Sequence, residues 1–474
     1  MPVATSSIPS LTASTILPEP GTIAFATFAF AKQDQKSNVY QDGDRACMVG
    51  DSITAGGWYT SNIMMYYTTR FPEMYIDWRN IGMSGDGCHG ILWRMNWDIL
   101  PQLGQKQAVS VLMIGMNDVG RNKFGKASRE KSGEEKLQKR ILATRKNYTN
   151  NLTKVIDALS ENSRKLIVFT PSIYDQTGDL PAENLFGVND ELVVFGQIGT
   201  DLASKKPNAV AVDMSKAMLE TNAKLQATEG KKKTIVGNDR VHPKFAGGLV
   251  MLNKWLTDFK EPTEVSNIEI NAKKKSIKRA FNCDITKLNV EKGKISFDIL
   301  EASIPFVVPV DAQYVLKYIP FHDKFNRQIL KISGLSGKYA LKIDGEKVGE
   351  YTAKELANGV NLATNTNTPQ YKQAENVYKI CTRFRNEAAT YRSIFMIELF
   401  NRKQMDKLLT IKEKIAFATN HAKTLQPGFV KGATERYAKN KPRQAEIAKN
   451  LKQINDLIYR ASKPKPHKYE LEKI

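Results

Sequence analysis

Short apolar runs alternate with helical patterns along residues 38–260. The runs are four to six residues long and rich in Val, Ile, Leu and Met, as buried strands are. They lie at 46–49, 74–78, 109–114, 166–170 and 209–212. Apolar residues at helical spacing follow at 58–67, 146–159, 190–203, 215–225 and 245–255. This alternation predicts an α/β unit with a parallel sheet, in a flavodoxin-like three-layer αβα arrangement.

The pattern changes after a linker, Glu-Pro-Thr, at residues 261–263. Residues 264–365 carry strand-like alternation, most clearly at 268–270, 294–299 and 339–343, with turn signals that include Asp344-Gly345. We expect an antiparallel β-rich accessory region, with a hairpin over 339–348. From 366 to 474 the spacing becomes helical, at 370–386, 405–425 and 443–461. The chain is therefore expected to end in a helical region.

Charge is concentrated in that helical region. The chain has 70 Lys and Arg against 49 Asp and Glu, a net charge of +21, and residues 401–474 hold 18 of the basic and 7 of the acidic residues. A basic surface attracts anionic partners. One interpretation is a solvated helical face; another is docking of an acidic glycan, a cell-envelope polymer or another subunit. Nucleic acid is disfavoured, because no recognised binding motif accompanies the charge.

The amino-terminal segment, residues 1–37, is rich in Ser, Thr, Pro and Ala. Its apolar stretch 23–31 ends in Ala-Phe-Ala, which has the form of a signal-peptidase site. However, no basic residue precedes it, and Pro18 and Pro20 interrupt the segment. A surface arm and a poor signal both fit. The signal predicts a secreted or periplasmic protein, and the surface arm leaves a cytoplasmic location open. No run reaches the roughly 20 apolar residues of a membrane span.

Four cysteines, at 47, 88, 283 and 381, are far apart and form no Cys-x-x-Cys pair. This spacing argues against a zinc cluster or a disulfide scaffold. Cys47 lies within a predicted core strand, where a small buried thiol is expected.

The motif Gly-Asp-Ser-Ile-Thr at residues 50–54 stands between a predicted strand and a predicted helix. Ser52 is thus expected at the carboxyl end of a strand, where α/β folds place ligands and chemistry. Asp-Ser before a helix is also an ordinary helix cap, and the motif alone does not separate the two interpretations.

Three later motifs change that balance. Asn-Ile-Gly-Met-Ser-Gly-Asp at 80–86 follows the second strand, Gly-Met-Asn-Asp at 115–118 follows the third, and Asp-Arg-Val-His-Pro at 239–243 precedes the last helix. In this order and spacing, the four motifs resemble the four blocks of the SGNH (GDSL) hydrolase family, over roughly residues 38–260. The resemblance implies the flavodoxin-like fold and a serine esterase or carbohydrate deacetylase.

Chemistry assigns candidate roles within these motifs. Ser52 needs an adjacent base, and His242 is the best of five histidines because it alone lies beside a motif. Asp239, three residues earlier, can accept the imidazole Nδ1 proton. The backbone N–H groups of Ser52 and Gly85 and the side chain of Asn117 could form an oxyanion hole. The family resemblance selects Gly85 over Gly82.

Each role has a structural alternative. Gly82 and Gly85 could be turn glycines, residues 117–118 could form an Asx turn, and Asp-x-x-His-Pro could be a simple loop. Asp51 is expected to support the loop rather than to react. No metal or other cofactor is implied, since Ser, His, Asp and amide donors suffice for acyl transfer.

The substrate is less defined. The aromatic side chains of Trp58, Tyr59, Trp93 and Trp97 follow two of the motifs and could stack on sugar rings or line an acyl pocket. Trp93 and Trp97 share a helical face, and we expect at least one to pack in the core. A short acyl group, acetyl above all, on a glycan is the preferred substrate. An acyltransferase, and a binding protein that assembles on an anionic polymer or with itself, stay open.

Overall fold

A computed structural model describes residues 35–104 and 107–474. The signal-like stretch 23–31 lies outside the described residues, so export stays a prediction. Of the predicted 1–37 arm, the described end is tied to the linker. Ser37 Oγ and Asn38 N both donate to the Glu261 carboxylate, at 3.1 and 3.0 Å.

Five parallel strands form the central sheet of the α/β domain. They are β1 (Arg45–Gly50), β2 (Asp77–Asn80), β3 (Ala108–Met113), β4 (Lys165–Phe169) and β5 (Ala209–Val212). Their order is β2-β1-β3-β4-β5, the flavodoxin-like order, and every neighbouring pair is parallel. This confirms the predicted fold class. Because the strands are parallel, the loops after β1, β2 and β3 lie at one edge.

Nine helices accompany this sheet in the described residues. They are α1 (Ser52–Ala55), α2 (Trp58–Arg70), α3 (Cys88–Arg94), α4 (Leu100–Leu103), α5 (Lys126–Ser132), α6 (Glu134–Glu161), α7 (Val188–Ala203), α8 (Met214–Glu229) and α9 (Phe245–Asp258). A π-helical turn, Met95–Ile99, connects α3 to α4. The long α6 places Leu137, Ile141, Tyr148, Leu152 and Val155 on its buried face, at helical spacing.

The second strand begins later than predicted. Residues 74–76 precede β2 instead of opening it. Their apolar side chains do not pair with β1 but face the last helix of the chain: the Tyr75 ring lies 4.9 Å from the Tyr459 ring, and Ile76 N donates to the Tyr459 hydroxyl at 2.9 Å. A distant segment therefore contacts Tyr75 and Ile76, which the pattern assigned to the strand.

The β-rich region forms two sheets. Its strands are β6 (Glu264–Asn271), β7 (Ser276–Phe281), β8 (Cys283–Glu291), β9 (Lys294–Glu301), β10 (Arg327–Ser333), β11 (Lys338–Ile343), β12 (Glu346–Thr352) and β13 (Val360–Asn361), with two short helices, α10 (Phe321–Phe325) and α11 (Ala353–Asn358). The predicted hairpin is present as β11–β12. The prediction of a purely antiparallel region is wrong, because β6 and β10 pair in parallel. The long connection from β9 to β10 makes that parallel crossover possible.

The predicted helical region holds five helices among the described residues. They are α12 (Pro369–Phe400), α13 (Arg402–Met405), α14 (Ile411–Thr424), α15 (Phe429–Asn440) and α16 (Gln444–Ser462). The expectation of helix up to residue 474 is wrong at its end, where β14 (Pro466–Lys473) joins the second sheet, ordered β12-β11-β14-β9-β8. The side chains of His467, Tyr469 and Leu471 are buried at every second position, the period of a strand.

The helical region is not a separate body. α12 packs against α2 and α16, and Cys381 and Phe384 of α12 belong to the core of the α/β domain. All four cysteines are buried as free thiols. Among the described helices, none combines the length and hydrophobicity needed to cross a bilayer. Docking of a polymer or a subunit through the basic helices stays a prediction.

Candidate active site

The turn after β1 places Ser52 at the edge of the sheet. Asp51 caps α1 by accepting a hydrogen bond from Ile53 N at 2.9 Å, so the helix-cap interpretation holds for Asp51. Gly50 leaves no room for a side chain, because a Cβ there would overlap Thr54 Oγ1 and Met113 O. The backbone can thus turn directly against β3, and Ser52 becomes the first residue of α1 with its side chain partly exposed.

Ser52, His242 and Asp239 form a continuous hydrogen-bonded chain. Ser52 Oγ lies 2.8 Å from His242 Nε2, and His242 Nδ1 lies 2.5 Å from Asp239 Oδ2. The other oxygen, Asp239 Oδ1, accepts hydrogen bonds from the backbone N–H groups of Val241 and His242, both at 3.1 Å. The three residues, separated by up to 190 positions, are brought together as the sequence predicted.

The carboxylate of Asp239 is held in its ionised form. Partial burial raises its pKa, but hydrogen bonds from the His242 side chain and from the Val241 and His242 backbone outweigh this effect, so the pKa of Asp239 lies well below its usual value. An ionised Asp239 fixes the imidazole with its proton on Nδ1, which leaves Nε2 free to accept the proton of Ser52.

Arg240, inside the Asp-Arg-Val-His motif, anchors this loop. Its backbone takes the left-handed conformation, with φ of +68°, and its side chain is buried. The guanidinium donates to the carbonyl oxygens of Asp175, Gly178, Leu180 and Ala182, at 2.8–3.1 Å. This role was not predicted from the sequence; an arginine between two candidate catalytic residues was the available signal.

The loop after β2 places Gly85 at the surface near this chain. Met83 N donates to Gly50 O at 2.9 Å, which fixes the loop beside the turn after β1. Gly85 has φ of +82°, so it is a turn glycine, whereas Gly82 is needed for close packing, since a Cβ there would overlap the Ala55 backbone. Within the described residues, no acceptor takes the N–H of Gly85.

Asn117 joins the loop after β3 to the loop after β2. Its Nδ2 donates to Asp86 O at 2.8 Å, and Val119 N donates to Gly115 O rather than to Asn117 Oδ1, so the side chain does not close an Asx turn. The amide has a second N–H, which this hydrogen bond does not use. Asp118 instead accepts from Cys88 N at 2.8 Å, at the start of α3, and burial raises its pKa to about 6. The Asn117 side chain therefore binds the loop after β2 and not the turn in which Asn117 itself lies.

Asp51 is a buried carboxyl beneath the candidate serine. Burial raises its pKa to about 7, against the opposing effects of the Ile53 N–H and of His242. It accepts from Ile53 and does not contact the reacting oxygen through any hydrogen bond in the described residues. Its supporting role stays a prediction.

A buried ionic cluster holds the loop after β2 from its far side. Arg94 Nε donates to Asp86 Oδ2 and Arg94 Nη1 to Asp98 Oδ2, both at 2.7 Å. Arg392, on α12, donates to both oxygens of Asp98 at 2.8 and 2.6 Å, and to Gly82 O at 2.9 Å. This cluster was not predicted from the sequence. An arginine four residues after Ala388, on the buried face of a long helical pattern, was the available signal.

Among the aromatic candidates, Tyr59 alone is fully buried, with its hydroxyl 2.8 Å from Thr54 Oγ1. Trp58 lies under the Arg385 guanidinium, 3.6 Å from the ring centroid. Trp93 and Trp97 contact each other, at 5.1 Å between centroids, but neither is buried and Trp97 is 44% exposed. Core packing of one of them was a wrong expectation, because both rings pack on surface side chains, Trp93 on the Arg402 guanidinium at 4.5 Å and Trp97 on the Phe395 ring at 6.3 Å.

Comparison with protein families identifies the domain that carries this geometry. Residues 48–248 match the model of the GDSL-like lipase/acylhydrolase family. This domain belongs to that family. The GDSL domain makes the chain an enzyme, a serine ester hydrolase.

Solved structures extend the comparison beyond the GDSL domain. BT4096, titled a gut microbial diltiazem-metabolizing enzyme, is 28% identical, with a TM-score of 0.80 over 94% of this chain and 100% of its own. Its likeness therefore includes the regions that follow the GDSL domain. The acetylxylan esterase Axe2 of Geobacillus stearothermophilus is 21% identical, with a TM-score of 0.37, over 47% of this chain and 97% of its own.

A third structure, LAE5, an α/β hydrolase from the metagenome of Lake Arreo, is 19% identical, with a TM-score of 0.36, over 47% of this chain and 98% of its own. Comparison with curated proteins gave no significant match.

Proposed function

We propose that this GDSL hydrolase removes short acyl groups, acetyl above all, from ester-substituted glycans through an acyl-enzyme on Ser52. The observation that carries the proposal is the chain from Ser52 Oγ through His242 to Asp239, at 2.8 and 2.5 Å. In this chain the nucleophile, its base and the group that orients the base are already in contact.

In the first step, Ser52 Oγ attacks the carbonyl carbon of the ester. His242 Nε2 takes the hydroxyl proton, and the ionised Asp239 stabilises the imidazolium. The carbonyl π electrons move to oxygen, and a tetrahedral intermediate forms. When it collapses, the bond to the leaving alkoxide breaks, His242 returns the proton to that oxygen, and the free hydroxyl of the glycan departs.

The oxyanion of this intermediate would accept hydrogen bonds from Ser52 N–H, Gly85 N–H and the Asn117 amide. Asn117 uses one amide N–H on Asp86 O, so its second N–H is the one that serves the oxyanion. Donors fixed in this way stabilise charge as it develops, without having to reorganise during the reaction.

In the second step, water repeats the sequence on the acyl-enzyme. His242 removes a proton from water, hydroxide attacks the acyl carbon, and Ser52 leaves with the proton that His242 gives back. An alcohol in place of water would make the same enzyme an acyltransferase. Half-exposed His242 and Asp239 leave the site open to bulk water, which favours hydrolysis.

The surroundings of Gly85 support a short acyl group. The Phe400 ring closes the space beside this glycine, since a Cβ on Gly85 would lie 2.8 Å from Phe400 Cζ. BT4096 is titled a diltiazem-metabolizing enzyme. Diltiazem is an acetate ester, so diltiazem serves as a further test substrate.

The test measures hydrolysis of p-nitrophenyl acetate, p-nitrophenyl butyrate, acetylated xylan and diltiazem by the parent, Ser52→Ala and Ser204→Ala. Ser204 is an exposed serine at the end of α7 and provides the matched control. We expect acetate to exceed butyrate, acetate release from xylan, no turnover by Ser52→Ala and parental rates for Ser204→Ala. Equal activity of the parent and Ser52→Ala would refute the serine mechanism, and an inert parent on xylan would refute the glycan substrate.

A further inference from the structure

We infer that Arg392, on α12 of the helical region, is a positioning residue for the oxyanion hole, so that the carboxyl-terminal helices complete the active site. The inference rests on the proposed function, because it concerns the same donors. It adds a segment 340 residues from the nucleophile to the machinery of the GDSL domain.

Arg392 directly contacts the loop at residues 82–86, which carries Gly85 and is called the oxyanion loop below. Its side chain is buried, and its Nε donates to Gly82 O at 2.9 Å. Gly82 lies three residues before Gly85, and the close packing of Gly82 against Ala55 leaves the loop little freedom to shift on the other side. The Arg392 guanidinium on one side and the Ala55 backbone on the other therefore fix the position of this loop relative to the turn that carries Ser52.

Through the ionic cluster, Arg392 also reaches two of the three proposed donors, Gly85 and Asn117. It binds Asp98 with two hydrogen bonds, Asp98 binds Arg94, and Arg94 binds the side chain of Asp86 at 2.7 Å. Asp86 follows Gly85 directly, and its backbone oxygen accepts the Asn117 amide. One residue thus links the backbone position of Gly85 to the orientation of the Asn117 side chain.

The charges in this cluster are balanced only when Arg392 is present. Two arginines face two aspartates, and all four side chains are almost completely buried. Burial raises the pKa of Asp98, but the charges and hydrogen bonds of Arg392 and Arg94 outweigh it and lower the pKa overall. Removing Arg392 would leave a buried carboxylate with an incomplete partner set, which rearranges rather than remains in place.

Apolar packing acts on the same loop. The side chain of Met83, fully buried, belongs to the core formed by α12–α16, where it contacts a cluster that includes Ile394 and Ile397. Met83 is the residue whose N–H binds Gly50 O, beside the nucleophile turn. The helical region therefore holds the loop by a side chain as well as by charge.

A displaced loop should impair the transition state more than substrate binding. The donors act on the oxyanion, which the ground-state ester lacks, so we expect kcat to fall about 10- to 100-fold in Arg392→Gln with KM changed less than about threefold. Arg392→Lys keeps the charge and one bond to Asp98 but loses the fork, and should recover part of the rate.

The experiment uses the full chain with p-nitrophenyl acetate, in the parent, Arg392→Gln, Arg392→Lys and Arg383→Gln. Arg383 lies on the same helix with an exposed side chain and is the control. Rates are divided by the number of serines titrated to completion with a fluorophosphonate, so that unfolded molecules do not count. Lower kcat per titrated serine in both Arg392 variants, with the lysine intermediate and the control parental, supports the inference.

Parental kcat per titrated serine in the Arg392 variants overturns the inference, even if their melting temperatures fall. If Arg392→Gln does not fold, the same comparison is made with Arg392→Lys, which then decides. A proportional rise in KM with unchanged kcat also overturns it, because it would mean a role in binding. Activity that persists in Ser52→Ala would instead refute the proposed function, so the two failures are distinguishable.

Discussion

The nucleophile turn and the oxyanion loop, adjacent in the active site, are supported in different ways. Residues 50–54 are held mainly by their own neighbourhood: Asp51 caps Ile53, and Thr54 contacts Tyr59. The loop at 82–86 is held by Arg392 and by the core of a helical region more than 300 residues later. In both loops a short sequence motif identifies the reacting groups. Only for residues 50–54 does the local sequence also identify the residues that hold the loop in place.

The two loops also differ in electrostatics. The buried carboxyl under the nucleophile, Asp51, has one backbone donor and a pKa raised to about 7, whereas Asp98 under the oxyanion loop has two arginines and a lowered pKa. The first support can lose its charge near neutrality, and the second keeps its charge. Variants on each side should therefore respond differently to pH and to substitution.

The largest expected effect is on the nucleophile side. His242→Gln removes the base that contacts Ser52, so kcat/KM for p-nitrophenyl acetate should fall about 10⁴- to 10⁶-fold. His421→Gln, a substitution on α14, should keep the parental rate. A loss below tenfold in His242→Gln would mean that another group activates Ser52 and would remove the contrast between the two loops.

A smaller loss is expected on the oxyanion side. Asn117→Ala removes one of three proposed donors, so kcat should fall about 10²- to 10³-fold with KM nearly constant. Steady-state kinetics with p-nitrophenyl acetate separates the two parameters. If KM rises while kcat stays parental, Asn117 binds substrate and is not an oxyanion donor.

The contrast in electrostatics is tested by Asp51→Asn. The folded-state pKa of Asp51 is raised, so between about pH 4 and 7 the unfolded chain releases this proton first and stability falls as pH rises. An asparagine keeps the bond to Ile53 N without the charge. Relative to the parent, the variant should therefore gain stability from pH 4.5 to 7.5, by at most roughly 4 kcal/mol.

Urea unfolding of both proteins at several pH values measures this difference. Asp406→Asn, a change of an exposed side chain that follows α13 directly, is the control for surface charge. Parallel curves for the parent and Asp51→Asn would contradict the assignment of a buried, proton-binding Asp51.

The smallest expected effect concerns selectivity. Phe400, 47% exposed at the end of α12, closes the space beside Gly85, so Phe400→Ala should raise the butyrate-to-acetate ratio of kcat/KM about 3- to 10-fold. Phe429→Ala changes another exposed phenylalanine, on α15, and should leave the ratio unchanged. An unchanged ratio in Phe400→Ala would place the acyl chain elsewhere.

The sequence predicted what local pattern and motif order determine. Buried parallel strands are continuous apolar runs, so the sheet was predicted with one error, at residues 74–76, where α16 contacts Tyr75 and Ile76. The four motifs predicted Ser52, His242 and Asp239, which the fold brings into contact. A local sequence pattern does not show which distant segments pack together, however, and the roles of Arg392 and Met83 depend on such packing.

The last strand was missed for a related reason. The alternation at His467, Tyr469 and Leu471 is strand-like, but it follows three predicted helical stretches and has no hairpin partner next to it in sequence. Its partners are β9 and β11, which are more than 120 residues earlier. Only the folded chain shows that the β-rich region needs this segment.

That position of β14 has a consequence for biosynthesis. Because β14 lies between β9 and β11, both strands are made long before the segment that pairs with them, and the sheet closes only after the helices have been translated. A chain terminated within the helices would present two open strand edges, which are templates for intermolecular pairing. Premature termination should therefore yield aggregates rather than a shortened enzyme.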